Sequence, residues 1–365
     1  MTSPIGIGII GASPKRGWAV DAHLPAIAAS PDFALRAVST SRRETAQEAA
    51  RVFCVPAYDN HQELVARQDV DLVVVTVKVP HHFELVTAAL DAGKAVLCEW
   101  PLGNGLDETT KLAEKASAAA VGNFVGLQAR SSPGFNHVRK LIHDGFVGEV
   151  LSTTIVGSGA NWGPGVEPEN AYILDQAAGA SMLMIPFGHT IDGICYCLGE
   201  VRQLSAQTAT RRKSATIYGT DTVVPITVAD QILVAATLSS GATLSAHYRG
   251  GMSAGTNFLW EINGTEGDLV INAAHGVVEM TELSVSGSRK GEPLAPMATP
   301  EDCRWAPAGI SEGVAYNVAQ AYALIAQDLR DGGCRAPRFE HAALRHHMLA
   351  AIEESARTGE RQHLS

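Results

Sequence analysis

Strand-like and helix-like segments alternate along roughly the first 130 residues, and no other feature limits the fold as tightly. "IGIGIIGAS" (Ile5–Ser13) is a β-branched run that ends in glycine and small residues. It reads as a buried parallel strand with its exit turn. "VDAHLPAIAAS" follows with helical character, "FALRAVST" is a second strand, and "RRETAQEAARVF" and "HQELVARQ" are helices. "DLVVVTVKVP" (71–80) reads as a fully buried strand, "HFELVTAALDAGK" as a helix, "AVLCEWP" as a strand, "DETTKLAEKASAAA" as a helix and "NFVGLQAR" (123–130) as a strand. The pattern predicts an α/β fold, a doubly wound parallel sheet with helices on both faces. In such sheets a ligand lies beyond the carboxyl ends of the strands.

After Arg130 the texture changes. "FNHVRKLIHDGFVGEV" is one more helix and turn. "LSTTIVGSGA", "QLSAQTATR", "ITVADQILVAATLSS", "ATLSAHYRGG", "FLWEINGTEGDLVINA" and "GVVEMTEL" alternate apolar and polar residues between glycine turns, as strands do. They predict an α+β region with a large, mostly antiparallel open sheet, interrupted by one helical insert at 179–199. Two helices close the chain. A length of 365 residues favours two domains. The expected division is 1–130, a dinucleotide-binding Rossmann domain, and 131–365, a substrate and oligomerisation domain whose final helices are available to pack back on the first.

The turn "GASPKRGWAVDAH" is the place for a phosphate, because a helix start offers unpaired N–H groups and a positive dipole end. After Gly11 the second glycine of the usual phosphate-binding pattern is Ser13 and the third is displaced to Gly17, with Trp18 beside it. The second strand ends in "VSTSRRE", with no acidic residue to bond a ribose. Thr40, Ser41, Arg42 and Arg43 stand there instead, hydroxyls and guanidinium groups that suit a 2′-phosphate. NADP is therefore the expected cofactor, with NAD the other choice. The plainer reading makes Arg42 and Arg43 the solvated first turn of the next helix. Thr76 and Val77, at the exit of the "DLVVVTVKVP" strand, belong to the same cofactor-facing set.

The bulk numbers exclude several classes. Net charge is −10, and no basic block marks a nucleic-acid surface. No apolar run reaches the ~18 residues that span a bilayer. The six cysteines show neither C-x-x-C pairing nor metal-ligand spacing, so no metal is expected and a cytoplasmic location with reduced thiols is.

Four stretches carry a resemblance. "GIGIIGAS…HLPAI", "VVVTVKVPHHFELVTAALDAGKAVLCEWPL", "GLQARSSP" and "GHTIDGICYCLG" resemble the glucose–fructose oxidoreductase, inositol dehydrogenase and rhizopine-catabolism (Gfo/Idh/MocA) family of NAD(P)-dependent oxidoreductases. "GWAVDAHLPAI", "VKVPHHFELV", "EWPL" and "FGHTIDG" look most like its branch around the fungal galactose-pathway repressor Gal80. The family implies hydride transfer between a nicotinamide and a sugar or polyol. The branch implies an alternative, a dinucleotide-binding regulator that senses and does not catalyse, with a protein partner.

The resemblance also implies roles. The family's E-K-P has Glu99 and Pro101 here, but Trp100 in place of the lysine. Its aspartate-and-histidine helix opens at Gly179 and keeps His189, while the aspartate position holds Ile185; Asp192 matches a further, structural aspartate. Tryptophan accepts no proton, and isoleucine neither gives nor takes one. His189 is then the leading acid/base candidate, with Lys78 and Tyr172 as further catalytic candidates and core packing as the plainer reading of His189. Trp100 either stacks on nicotinamide or sugar or fills the pocket floor, and Trp18 and Trp162 are candidates to line the site. His81 matches a family histidine near the nicotinamide, with His82 beside it at the pocket mouth. Gln128 and Arg130 match positions that contact the cofactor carboxamide or join the domains. One face of the open sheet is expected to take substrate and the other, if apolar, a second subunit, giving a homodimer or homotetramer.

Overall fold

Six parallel strands form the first sheet: β1 (Ile5–Ile10), β2 (Phe33–Ser39), β3 (Ala57–Tyr58), β4 (Leu72–Val75), β5 (Ala95–Glu99) and β6 (Asn123–Gly126). Their order is β3-β2-β1-β4-β5-β6. Strands on the two sides of β1 are reached in opposite directions, so the switch point lies between β1 and β4. The computed structural model that shows this describes residues 3–310 and 313–364. Ile7, Ile9, Leu72 and Val74 are fully buried, as expected of strands covered on both faces. Helices α1 (Leu24–Ala29), α2 (Arg43–Phe53), α3 (His61–Val65), α4 (His82–Asp91) and α5 (Leu106–Ala119) connect the strands. Two strand ends fall short of expectation. β4 stops at Val75, and "QAR" after β6 turns into a 3-10 stretch, Gln128–Ser131.

The second sheet has nine strands: β7 (Val150–Gly159), β9 (Val201–Ala209), β12 (Gln231–Leu238), β13 (Thr243–Gly250), β14 (Phe258–Gly264), β15 (Gly267–Asn272), β16 (Ser284–Arg289), β17 (Ala295–Met297) and β18 (Gln362–His363). The order is β17-β16-β15-β14-β7-β13-β12-β9-β18, antiparallel except where β7 lies beside β13. A small separate sheet joins β8 (Gly165–Val166), β10 (Ser214–Ile217) and β11 (Val223–Pro225). Alternation sets the two faces of the large sheet. Ile155, Ala246, Tyr248, Trp260, Ile262 and Ile271 are buried on one side. Helices α6 (Pro133–His143) and α7 (Gly188–Leu198) belong to this unit, and Phe135 of α6 meets Trp260 at 5.5 Å between rings. On the other face Leu233, Ala235 and Ser245 are exposed. "GVVEMTEL", expected as a strand, instead contains a 3-10 turn, Val278–Met280, and the next strand begins only at Ser284.

The closing helices are α8 (Val314–Asp331) and α9 (Phe339–Thr358). Contacts divide the chain into 1–128 with 305–344, and 129–304 with 345–365. The expected second domain, 131–365, therefore loses 305–344 to the first unit. The physical reason is the face of α8. Val318, Tyr322, Ile325 and Ala326 fall at helical spacing and are buried in the core cluster that holds Ile7, Ala22, Ala26 and Phe33. Residues after α8 also cover β6, which would otherwise be a bare sheet edge. The Val125 amide donates to the Pro337 carbonyl at 2.9 Å, and the Phe339 amide to the Asn123 side chain at 3.0 Å. The boundary between the units falls inside α9.

Candidate functional site

In the first unit the strand exits next to the switch point are locked together. The Gly11 amide donates to the Ser39 carbonyl at 2.9 Å. Gly11 has φ +102°, and a β-carbon there would stand 2.7 Å from Val77 Cγ1, so only glycine fits this turn. Both the amide and the hydroxyl of Thr76 donate to the Ile10 carbonyl at 3.0 Å. Ser13 is half-buried and its amide donates to the Gly11 carbonyl. Gly17 is exposed, and its carbonyl accepts the amides of Val20 and Asp21 where the helical stretch begins. Trp18 packs on the core, with its indole N–H buried and without a partner.

At the β2 exit the Thr40 hydroxyl donates to the Arg42 carbonyl at 3.0 Å and accepts from Thr45. It is committed to the turn. Ser41, Arg42 and Arg43 are exposed, and Arg42 is extended ahead of α2. At the β4 exit Lys78 and His81 are exposed. His82 is not at a pocket mouth. It is 1% exposed, with its ring nitrogens 2.9 Å from the Val77 carbonyl and 2.8 Å from the Pro101 carbonyl. Burial pushes its pKa down, against the opposing pull of the two carbonyls. His82 thus ties the β4 exit to the β5 exit.

Glu99 ends β5 and lies over Gly126 of β6, where a β-carbon would be 2.6 Å from Glu99 Oε1. Its carboxylate is 3.0 Å from His23 Nε2 and accepts from the Gln128 side chain at 3.4 Å. His23 Nδ1 is 2.9 Å from the Tyr322 hydroxyl. Burial raises the pKa of this phenol well above its usual value, so Tyr322 keeps its proton and donates it. With Nδ1 facing that phenol, Nε2 is the ring nitrogen that meets Glu99. Glu99 is therefore committed to this chain of bonds. Neither His23 nor Tyr322 stood out in the sequence, because Tyr322 comes from a helix far along the chain. Gln128 is 2% exposed, and its Oε1 is buried without a partner. Trp100, next to Glu99, is 5% exposed.

The second unit holds His189, in the first turn of α7, directly after the π-type turn Leu183–Phe187 that contains Ile185. Its Nε2 is 3.9 Å from Glu279 Oε1, and both side chains are buried. Glu279 sits on the 3-10 turn within "GVVEMTEL", whose pattern predicts a strand. A partner so distant leaves no mark in local spacing. Arg130 belongs to this unit, and its guanidinium is bonded within it. Its Nε donates to Asp192 Oδ2 at 2.7 Å and its Nη2 to Asp192 Oδ1. Arg345 of α9 adds a bond to the same carboxylate at 3.2 Å and a fork to Glu200 at 2.8 and 3.0 Å. Burial raises the Asp192 pKa, and the charges and bonds of Arg130 and Arg345 more than reverse this, leaving it below the usual carboxylate range. Tyr172, in the 3-10 stretch Pro168–Leu174, has its phenol pKa raised by burial. Trp162 is buried, and its indole N–H has no partner. Lys78 is in the first unit, whereas His189 and Tyr172 are in the second. Among the described residues no cluster of three or more His, Cys, Asp or Glu is arranged to hold a metal, and no helix is long and apolar enough to cross a membrane.

Comparison with known proteins accounts for both units. Residues 5–127 match the model of the oxidoreductase family with an NAD-binding Rossmann fold, and residues 133–273 that of the Gal80p C-terminal domain. The first unit is thus similar to the Gfo/Idh/MocA oxidoreductases and the second to the Gal80p C-terminal domain. The chain is 27% identical over 319 residues to the galactose/lactose metabolism regulatory protein GAL80 of Saccharomyces cerevisiae, covering 80% of this chain and 73% of that one. It is 26% identical over 292 residues to the levoglucosan dehydrogenase of Pseudarthrobacter phenanthrenivorans, covering 73% of each. The crystal structure of a super-repressor mutant of Gal80p from Saccharomyces cerevisiae superposes with a TM-score of 0.89 at 23% identity, covering 99% of each chain. The chain is thus similar to proteins of both kinds, dehydrogenase and regulator.

Proposed function

We propose that this protein is a nicotinamide-dinucleotide-dependent oxidoreductase acting on a hydroxyl or carbonyl of a sugar, polyol or related compound. The observation that carries the reading is the buried His189–Glu279 pair. A buried imidazole facing a carboxylate suits proton transfer, and it persists although Trp100 and Ile185 occupy the family's lysine and aspartate positions. The first unit fits a dinucleotide: a positive-φ glycine turn at a helical start, exposed Ser41 and Arg42 at the β2 exit, and the unpartnered Gln128 Oε1. Gln128 would hold a carboxamide N–H, and Arg42 and Ser41 a ribose or its 2′-phosphate. When bound, the oxidised nicotinamide accepts the hydride from substrate carbon.

Titration of nicotinamide fluorescence with NADPH and NADH, followed by NADP⁺ or NAD⁺ with a panel of sugars and polyols, tests this. Binding with reduction is the expected result; no dinucleotide binding overturns it. Arg42→Ala should weaken NADPH about tenfold or more and leave NADH unchanged, the scale of one charge-assisted bond. Equal losses for both would remove the preference for NADP.

One observation favours a second reading, a dinucleotide-binding regulator with a protein partner. Trp100 and Ile185 remove two proton-handling groups from the family's set. The two readings separate on Trp100→Lys. An enzyme that works through His189 keeps turnover in this variant, within about tenfold either way, because the proton route does not use position 100. A regulator shows none in either form.

The exposed sheet face supports assembly as a homodimer or homotetramer. Leu233, His247, Val156 and Leu259 lie in one cross-strand row on it. Sedimentation of Leu233→Lys should show dissociation.

A further inference from the structure

A cavity of about 470 Å³ lies wholly within the first unit. Val121 and Gly122, which lead into β6, line it, so it stands at the amino end of the parallel strands. Gly11, Thr40 and Lys78 follow the carboxyl ends, at the opposite edge of the sheet. The volume suits a small molecule. Room for one comes from α5 and its cap, where Ala113, Ala116, Ser117 and Ala120 fall on one face at helical spacing and none is large. Arg338 supplies the charge of the wall. The residues on both sides of it are pinned to β6, through the Val125 amide on the Pro337 carbonyl at 2.9 Å and the Phe339 amide on Asn123 at 3.0 Å. Its own amide donates to His341 Nδ1 at 3.1 Å. The backbone is thus fixed, while the guanidinium makes one bond, from Nη2 to the Gly333 carbonyl. Its Nε–H is buried and has no partner. Among the described residues no carboxylate pairs with Arg338. The acidic groups at the same wall are otherwise engaged. Asp328 accepts the amides of Arg335 and Ala336 and a guanidinium bond from Arg335. Glu340 is largely exposed, so water screens its charge.

We propose that this cavity binds a small hydroxy acid, with the carboxylate on the Arg338 guanidinium and the hydroxyls on Ser117 and the carbonyl ends of α5 and α8. A planar guanidinium matches a carboxylate, and a buried N–H that lacks an acceptor is relieved when an anion arrives. The rest of the wall asks for donors. The carbonyls that close α5 and α8, at Ala120 and Gly332, have no helical partner and accept bonds; the Ser117 hydroxyl both donates and accepts. An anion without hydroxyls would leave those carbonyls to water, and a neutral polyol would leave Arg338 unanswered. The site does not depend on the oxidoreductase reading, because every residue in it lies at the other end of the sheet from the strand exits that the reading uses.

Gluconate is the probe, with sorbitol as a hydroxylated chain without charge and inorganic phosphate as an anion without the chain. In protein labelled with ¹⁵N-arginine, the Arg338 Nε–H resonance, identified by its loss in Arg338→Gln, should shift and saturate with gluconate. Calorimetry should give sorbitol and phosphate affinities at least about tenfold weaker than that of gluconate, the scale of one charge-assisted bond. Arg338→Gln should weaken gluconate by about the same factor. Ser117→Trp, which fills the cavity and keeps the arginine, should abolish binding. Ser117 is exposed, so this variant removes nothing from a core and decides the question by calorimetry even if Arg338→Gln fails to fold. No saturable binding of gluconate overturns the proposal. Binding that is equal in wild type and Ser117→Trp, with the Arg338 resonance unmoved, belongs to another place on the protein and also overturns it. Phosphate or sorbitol binding as tightly as gluconate overturns the assignment of a hydroxy acid.

Discussion

Asp192→Asn is expected to destabilise the second unit by about 3–5 kcal/mol, the scale for removing one partner of a buried ion pair. Asp192 is fully buried between two arginines. Asparagine keeps the shape but not the charge. Arg130 then keeps a buried positive charge without its carboxylate, and Arg345 retains Glu200 and the Cys195 sulfur. Urea unfolding followed by a probe in the second unit measures the loss. The double variant Arg130→Met, Asp192→Leu should cost less than Asp192→Asn alone, because it removes the stranded charge as well as its partner. A second signature is the pH dependence. The folded-state pKa of Asp192 is lowered, so its contribution is complete above the unfolded value of about 3.9 and is lost as pH falls through the folded value. Wild type should therefore lose stability faster than Asp192→Asn on acidification below about pH 4. If the two proteins have parallel acid limbs, the pair does not carry this energy.

The Arg130–Asp192 pair also marks where sequence reasoning stops. Local periodicity made the alternating sheet of the first unit legible, because each strand and helix declares itself within about ten residues. The same holds for β7, β12 and β13, where alternating residues separate a buried from an exposed face. What escaped was set by partners far apart in the chain. The closing helices are available to the first unit by sequence, but that α8 is the one packed there follows only from Tyr322 against Phe33 and His23. Glu99, a cofactor-binding candidate by its place in the E-K-P match, is bonded to His23 and Gln128, partners that its local sequence does not announce. "GVVEMTEL" has the apolar content of a strand, yet Val278 and Glu279 are both buried in a 3-10 turn, so no alternation exists to be read. A buried glutamate in such a run was the available signal, since an ionised carboxylate is rarely buried without a partner.

His189→Gln is expected to lower kcat by about 10² to 10⁴, or roughly 3–5 kcal/mol, with dinucleotide affinity unchanged. Glutamine is the informative replacement, because alanine would leave Glu279 buried opposite a cavity and mix a stability loss with a chemical one. The glutamine amide fills much of the space and donates to a carboxylate, but it takes up no proton near neutral pH. On the proposed function, this replacement removes the proton acceptor and keeps the scaffold. The size of the loss reports how much of the chemistry passes through this ring. A loss near 10⁴ would mean that His189 alone replaces the lysine and aspartate of the family pattern. A loss of less than tenfold, in a protein that still turns over, would show the proton leaving by another route. Lys78 would then become the residue to replace, as an exposed amine at the β4 exit of the first unit. The kinetic pattern separates these outcomes from a binding defect. Loss of a group used only in the transition state lowers kcat and kcat/KM together, whereas loss of a binding contact raises KM with kcat unchanged.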